Sequence, residues 1–329
     1  MDARKKVVTI GGGTGRFALL HGLKKHKVDI SAIVTMADDG GSTGRLRDEF
    51  GVLPPGDVRQ CLVALSENRA VMRELFNHRY QNGGLEGHSF GNLFISTLEM
   101  VTGSMEKALD VAGSILNIKG RVIPVTLDKV KLIAELKNGK SIAGEDALGD
   151  SKIISRVGIK KIALKPRARA NPKALAAIHA ADMIVVGPGD LYTSLIPNFL
   201  VRGVGAALIT SKAKKVLVVN LMNKRGHADN FTVADYVRSL EEAVGKKGVF
   251  DVVIYNTKRP APALLKKYAK EGEHVALHPE VPRTYALVGA DVLLGGVARI
   301  AKGDRLDRAL IRHDPDKLAK VLLKTLQGA

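Results

Sequence analysis

The residues Gly11-Gly12-Gly13-Thr14-Gly15 follow directly on the apolar run Val7 to Ile10 and precede a helical pattern that starts at Arg16. Glycine at such a place lets the backbone take positive φ and approach a ligand closely. The start of the next helix then offers free N–H groups and a positive dipole end to a phosphate. Gly13, Gly15 and Ala18 fit the G-x-G-x-x-A form of the dinucleotide fingerprint. A tight structural turn without a ligand would use the same residues. No Gly-Lys-Ser/Thr follows, so the segment is not a P-loop.

A second acidic and glycine-rich segment, Ala37-Asp38-Asp39-Gly40-Gly41-Ser42-Thr43-Gly44-Arg45, comes just after the next apolar run. A dehydrogenase places one acid here for the adenosine ribose. Two adjacent carboxylates beside a phosphate site suit a hydrated Mg²⁺. Asp38 and Asp39 are therefore the candidate metal ligands, and the candidate catalytic pair if the chain is a transferase. An Asp-Gly turn with solvated acids is the simpler alternative. Arg45 and Arg47 are placed to pair with these acids or to reach a phosphate.

Further segments carry polar groups at turns. Leu53 to Arg59 reads as a turn in which Asp57 caps a helix. Gly87-His88-Ser89-Phe90-Gly91 has the letters of a hydrolase nucleophile elbow, which needs a buried strand before the serine; Gln81 to Glu86 reads instead as loop. A loop leading into a helix, with His88 and Asn92 facing a ligand, is the better reading. Gly187-Pro188-Gly189-Asp190, running on to Ser194, is a second strand-end glycine turn, and such ends line the ligand crevice of open α/β sheets. Asn220 ends a further strand. The ligand-binding set read from these segments is Gly11, Gly12, Gly13, Thr14, Gly15, Asp38, Asp39, Gly41, Ser42, Arg59, His88, Asn92, Gly187, Gly189, Asp190, Ser194 and Asn220.

The elements that must hold these residues alternate. Strands are expected at Val7 to Ile10, Ile30 to Thr35, Met183 to Val186, Val216 to Asn220 and Asp251 to Tyr255. Their continuous apolar character fits burial on both faces. Helical periodicity marks Arg16 to Lys25, Val58 to Leu65, Val71 to Tyr80, Gly91 to Thr102, Met105 to Leu116, Pro172 to Ala180, Thr232 to Ala243, Ala261 to Lys270 and Pro315 to Leu326. This pattern predicts an α/β fold, a Rossmann-like doubly wound parallel sheet, in a single domain over 1–329. The section 122–164 is strand-rich and predicts a small β-rich insertion. Its Leu132 to Leu136 and Ser141-Ile142, joined by Asn138-Gly139, read as a hairpin.

Composition bounds the function. The lone Cys61 excludes an intrachain disulfide and a thiolate metal cage. With no signal-like apolar region at the N-terminus and no apolar stretch of membrane-span length, the reading is a cytoplasmic protein without a membrane span. The net charge of +18 would suit nucleic acid. The cations are scattered, however, and no helix-turn-helix, zinc-finger or RNP signature is present. Nucleic acid is not the favoured partner.

Taken together, Ile10 to Gly15, Ala37 to Arg47, Leu53 to Arg59, Gly87 to Leu93, Gly187 to Leu200 and Asn220 to Asp235 resemble the YvcK-type gluconeogenesis factors of the CofD-like superfamily, relatives of the 2-phospho-L-lactate transferases. The resemblance runs from about Val7 to about Leu326. It implies a regulator that binds a nucleotide sugar such as UDP-N-acetylglucosamine, or an NAD-like nucleotide, with no obligatory cofactor. It also implies a link to carbon metabolism, cell shape and peptidoglycan supply. An unidentified regulatory protein partner and a homo-oligomer are the further expectations. The transferase branch implies an alternative, transfer from a nucleoside-diphosphate-linked donor with Mg²⁺. By the same resemblance, Tyr268 and Arg312 match residues used for the nucleotide sugar. Three positions depart from the family pattern: Asp190 stands where serine is common, His227 where an acid is common, and Asn230 where glycine is common. A carboxylate at 190 would repel a diphosphate unless a metal intervened.

Overall fold

The computed structural model describes residues 4–67, 70–149, 152–269, 272–275, 284–295 and 311–328. The last residue of the expected helix Ala261 to Lys270 and the side chain of Thr14 lie outside that description. Seven strands form the main sheet: β1 (Lys5–Gly11), β2 (Val28–Val34), β3 (Arg121–Pro124), β4 (Met183–Val186), β5 (Lys214–Val218), β6 (Val252–Asn256) and β7 (Ala286–Ala290). Their order is β3-β2-β1-β4-β5-β6-β7, and every neighbouring pair is parallel. Parallel pairing requires crossovers, and the helices supply them on both faces. All four residues of β4 are fully buried, as are Val7, Ile10, Ala32, Ile33 and Val34 of the adjoining strands.

Chain direction reverses its march across the sheet between β1 and β4. This topological switch point is where open α/β sheets bind ligands, beyond the strand C-termini. Three helices meet the site from the first half: α1 (Gly13–Leu23), α2 (Gly41–Phe50) and α3 (Pro55–Leu65).

The insertion differs in extent from the sequence expectation. Val122 to Pro124 pairs with β2 as the edge of the main sheet rather than with the insertion. The separate three-stranded antiparallel sheet holds Lys131–Leu136 at its centre, flanked by Ser141–Ala143 and Ile159–Lys165. Asn138-Gly139 makes the expected tight turn, with Gly139 at φ +83°. Two short helices, Glu145–Gly149 and Lys152–Val157, connect the strands.

Candidate functional site

The two glycine turns meet. A Cβ added at Gly189 would stand 2.9 Å from the Gly12 carbonyl oxygen. One added at Gly12 would stand 2.6 Å from Asp57 Oδ2 and 2.9 Å from Ser194 Cβ. Gly12 is thus required because protein groups from two other segments close on the turn. Gly13 adopts φ +70°, which favours glycine. Asn220, just past β5, fixes the second turn by a reciprocal pair: its Oδ1 accepts the Gly189 N–H at 3.0 Å and its Nδ2 donates to the Gly189 carbonyl at 2.8 Å.

Asp57 does not cap its own helix; Pro54 is the N-cap of α3. The Asp57 carboxylate reaches across to accept the Gly13 N–H at 3.2 Å. It thereby satisfies one of the orphan donors at the start of α1. Sequence spacing could not show this, because the partner lies 44 residues away.

Asp190 caps the short π-helical turn Leu191–Leu195, accepting the Tyr192 and Thr193 N–H groups at 3.1 and 3.0 Å. Lys224 Nζ lies 3.2 Å from its carboxylate and His227 Nδ1 3.1 Å. Burial pushes this acid up, but His227 and Lys224 outweigh burial and hold it well below the usual carboxylate range. His227 Nε2 is 2.9 Å from the Leu148 carbonyl oxygen. Both ring nitrogens therefore lie within hydrogen-bonding distance of an oxygen. The Lys224 ammonium thus faces the charge at 190 from within the protein.

Asp38 and Asp39 diverge. Asp38 Oδ1 accepts the Gly40 N–H at 3.0 Å, and its Oδ2 lies where a Cβ on Gly56 would stand 2.3 Å away. Asp39 turns to the insertion, accepting the Asp146 N–H at 3.0 Å, with Arg47 at 3.9 Å. Among the described residues no group of three or more His, Cys, Asp or Glu is arranged to hold a metal. With no such cage among the described residues, a Mg²⁺ ion there would bring most of its oxygen ligands with a diphosphate.

Glu145, which the sequence reading did not single out, enters this site from the insertion. Burial first, then the charges of Asp38, Asp57 and Asp190, push its carboxyl up to about 8, against a hydrogen bond with Thr193. Sequence spacing carries no signal for it, because the short helix that presents it has no amphipathic period.

Ser42, His88, Asn92 and Arg59 form a buried network. Ser42 Oγ is 3.1 Å from His88 Nδ1, Asn92 Nδ2 donates to Ser42 Oγ at 3.3 Å, and Arg59 Nε donates to Asn92 Oδ1 at 2.9 Å. Burial and then Arg45 lower His88 from its ordinary value. Gly41 opens α2 beside this network. Ser89 is the N-cap of the helix Phe90–Thr102, accepting the Asn92 N–H, and is fully buried. Tyr268 ends the helix Pro262–Tyr268 and lies close enough to Tyr236 to add to the burial that raises that phenol, as do Asp190 and Tyr192. Arg312 offers its carbonyl to the Leu294 N–H at 2.9 Å. A separate cleft of about 410 Å³ lies at the other end of β1, lined by Lys6, Asp29, Ser31, Arg121 and Lys173 among others. It contains none of the residues read from the sequence, and the converging polar groups lie at the strand C-termini.

The sequence matches the family described as 2-phospho-L-lactate transferase CofD over residues 7–290. A relative from Nostoc sp. is 44% identical over 328 residues, covering 98% of this chain and 69% of its own length. The gluconeogenesis factor of Bacillus subtilis is 36% identical over 329 residues, covering 99% of this chain and 100% of its own. A crystal structure of a UPF0052 family protein from Bacillus halodurans superposes with a TM-score of 0.88 at 35% identity, covering 98% of this chain and 100% of that one.

Proposed function

The chain belongs to the CofD family, within its gluconeogenesis-factor group, and we propose that it is a regulatory protein that binds a nucleotide sugar, a UDP-sugar in particular, across the β1/β4 switch point. The observation that carries this reading is the meeting of two strand-end glycine turns, Gly11–Gly15 and Gly187–Gly189, at the place where the sheet order reverses. One turn seats the diphosphate and Asn220 holds the other in register with it. Lys224 and His227 remove the repulsion that Asp190 alone would exert. Ligand occupancy then reports nucleotide-sugar supply to carbon metabolism and to the cell-shape and peptidoglycan machinery, through a protein partner of unknown identity.

Titration calorimetry with UDP-N-acetylglucosamine tests this directly. Wild type is expected to give saturable binding, and Asn220→Ala is expected to weaken it about tenfold or more by releasing the second turn. Equal affinity in both proteins would remove the crevice as the site. The family description keeps a transferase reading in view. Mass spectrometry after incubation with guanosine-diphosphate-linked donor, deazaflavin and Mg²⁺ decides it: product that is lost in Asp38→Asn would replace the regulator reading.

A further inference from the structure

Arg16 is among the largest fully buried side chains of the described residues, at 2% exposure. It stands in the first turn of α1, directly after the glycine turn. Its Nη1 donates to the Gly11 carbonyl and, at 3.0 Å, to the Ile33 carbonyl. Those carbonyls belong to the C-terminal ends of β1 and β2, so the guanidinium lies immediately behind the turn. Its Nε and Nη2 are buried and have no hydrogen-bond partner, and no carboxylate among the described residues forms an ion pair with it.

A buried arginine is almost always paired, because an uncompensated charge in a protein interior is costly. A site that retains one calls for an explanation in function. The electrostatics of the turn supply it. The N-terminus of α1 would by itself attract an anion, but its Gly13 N–H is already taken by the Asp57 carboxylate. That carboxylate opposes a diphosphate placed on the same turn. The charges of Arg16 and of Asp57 both reach the Cys61 thiol, with opposite effect, which places the cation and the acid near the same buried point.

We propose that Arg16 is the positioning residue of the anion seat: its charge behind the glycine turn, held without a direct carboxylate partner among the described residues, offsets Asp57 and supplies the field that holds a diphosphate on the turn. Its bonds to Gly11 and Ile33 fix that charge in place. This inference rests on the reading of the crevice as a diphosphate seat, and it goes beyond that reading by naming what makes the seat attractive.

The test is calorimetry of inorganic pyrophosphate, UDP-N-acetylglucosamine and uridine against wild type, Arg16→Met and Arg16→Lys, with circular dichroism to verify folding. Arg16→Met is expected to lose about tenfold or more in pyrophosphate and UDP-sugar affinity while its response to uridine is unchanged; Arg16→Lys, which keeps the charge, is expected to stay within about threefold of wild type. Unchanged pyrophosphate affinity in Arg16→Met, or an equal loss in both variants, overturns the proposal. Should Arg16→Met fail to fold, wild type decides by its salt dependence. A buried charge is little screened, so pyrophosphate affinity is expected to fall less than about threefold between roughly 0.05 and 0.5 M KCl; a steep collapse would assign the attraction to exposed lysines and overturn the proposal. Wild type that takes pyrophosphate but no UDP-sugar would overturn the nucleotide-sugar reading and still support the role of Arg16. Wild type that takes neither overturns both.

Discussion

Asp190 and His227 are 37 residues apart in the sequence, and in the folded chain they are partners at 3.1 Å. The linkage follows from the direction of the shift. Asp190 is depressed in the folded state, so its contribution to stability is complete above the unfolded value near 4 and is lost as pH falls below it. Asp190→Asn is expected to cost about 3 kcal/mol at pH 7 by leaving two cations without their acid. In urea unfolding the gap between the two proteins should narrow toward pH 3; a gap that stays constant would show that the carboxylate's charge is not what matters. Ser89 gives a contrasting case. Ser89→Ala is expected to cost about 1 kcal/mol, the usual worth of an N-cap, with UDP-sugar binding unchanged. Loss of binding at normal stability would restore a chemical role to that hydroxyl.

At the scale of elements, the insertion is tied to the site by its shortest helix. Glu145 bonds to Thr193, the Asp146 N–H to Asp39, and the Leu148 carbonyl to His227. Three strand-end segments of the main sheet are thus held by five residues of the insertion, Glu145–Gly149. Glu145 is raised in the folded state, which reverses the usual sign for an acid. The native protein holds a proton that the unfolded chain has released, so stability should fall as pH rises from about 4.5 toward 8, by up to about 1.4 kcal/mol per pH unit. Glu145→Gln is expected to flatten that part of the profile in denaturant titrations, and a profile identical to wild type would place Glu145 outside the site. The sequence made some elements plain and hid others for physical reasons. The strand Met183–Val186 and the helix Pro172–Ala180 are as expected to the residue, because one is a continuous buried apolar run and the other starts at an Asn-Pro boundary. The Asn138-Gly139 hairpin was equally legible. Arg121–Pro124 was not, since a four-residue edge strand has no pattern that distinguishes the sheet it joins. Asp57 and Glu145 were missed as site residues because their partners are distant in the chain.

The whole molecule carries +18 formal charges, while its candidate site gathers Asp38, Asp57, Glu145 and Asp190. The net positive charge is therefore not what the crevice presents, because four acids converge there. Retention of duplex DNA at about 50 mM KCl, where it occurs, is expected to vanish by about 200 mM in a mobility-shift assay; sequence-selective retention at the higher salt would contradict this. Among the described residues no helix is long and apolar enough to cross a membrane.

The central claim is that the β1/β4 switch point, with its two touching glycine turns, seats a nucleotide sugar. Calorimetric titration of UDP-N-acetylglucosamine into the wild-type chain, with and without Mg²⁺, tests it most directly. Saturable one-site binding at sub-millimolar ligand, displaced by UDP, is the predicted result; absence of binding at millimolar ligand in both conditions would contradict it.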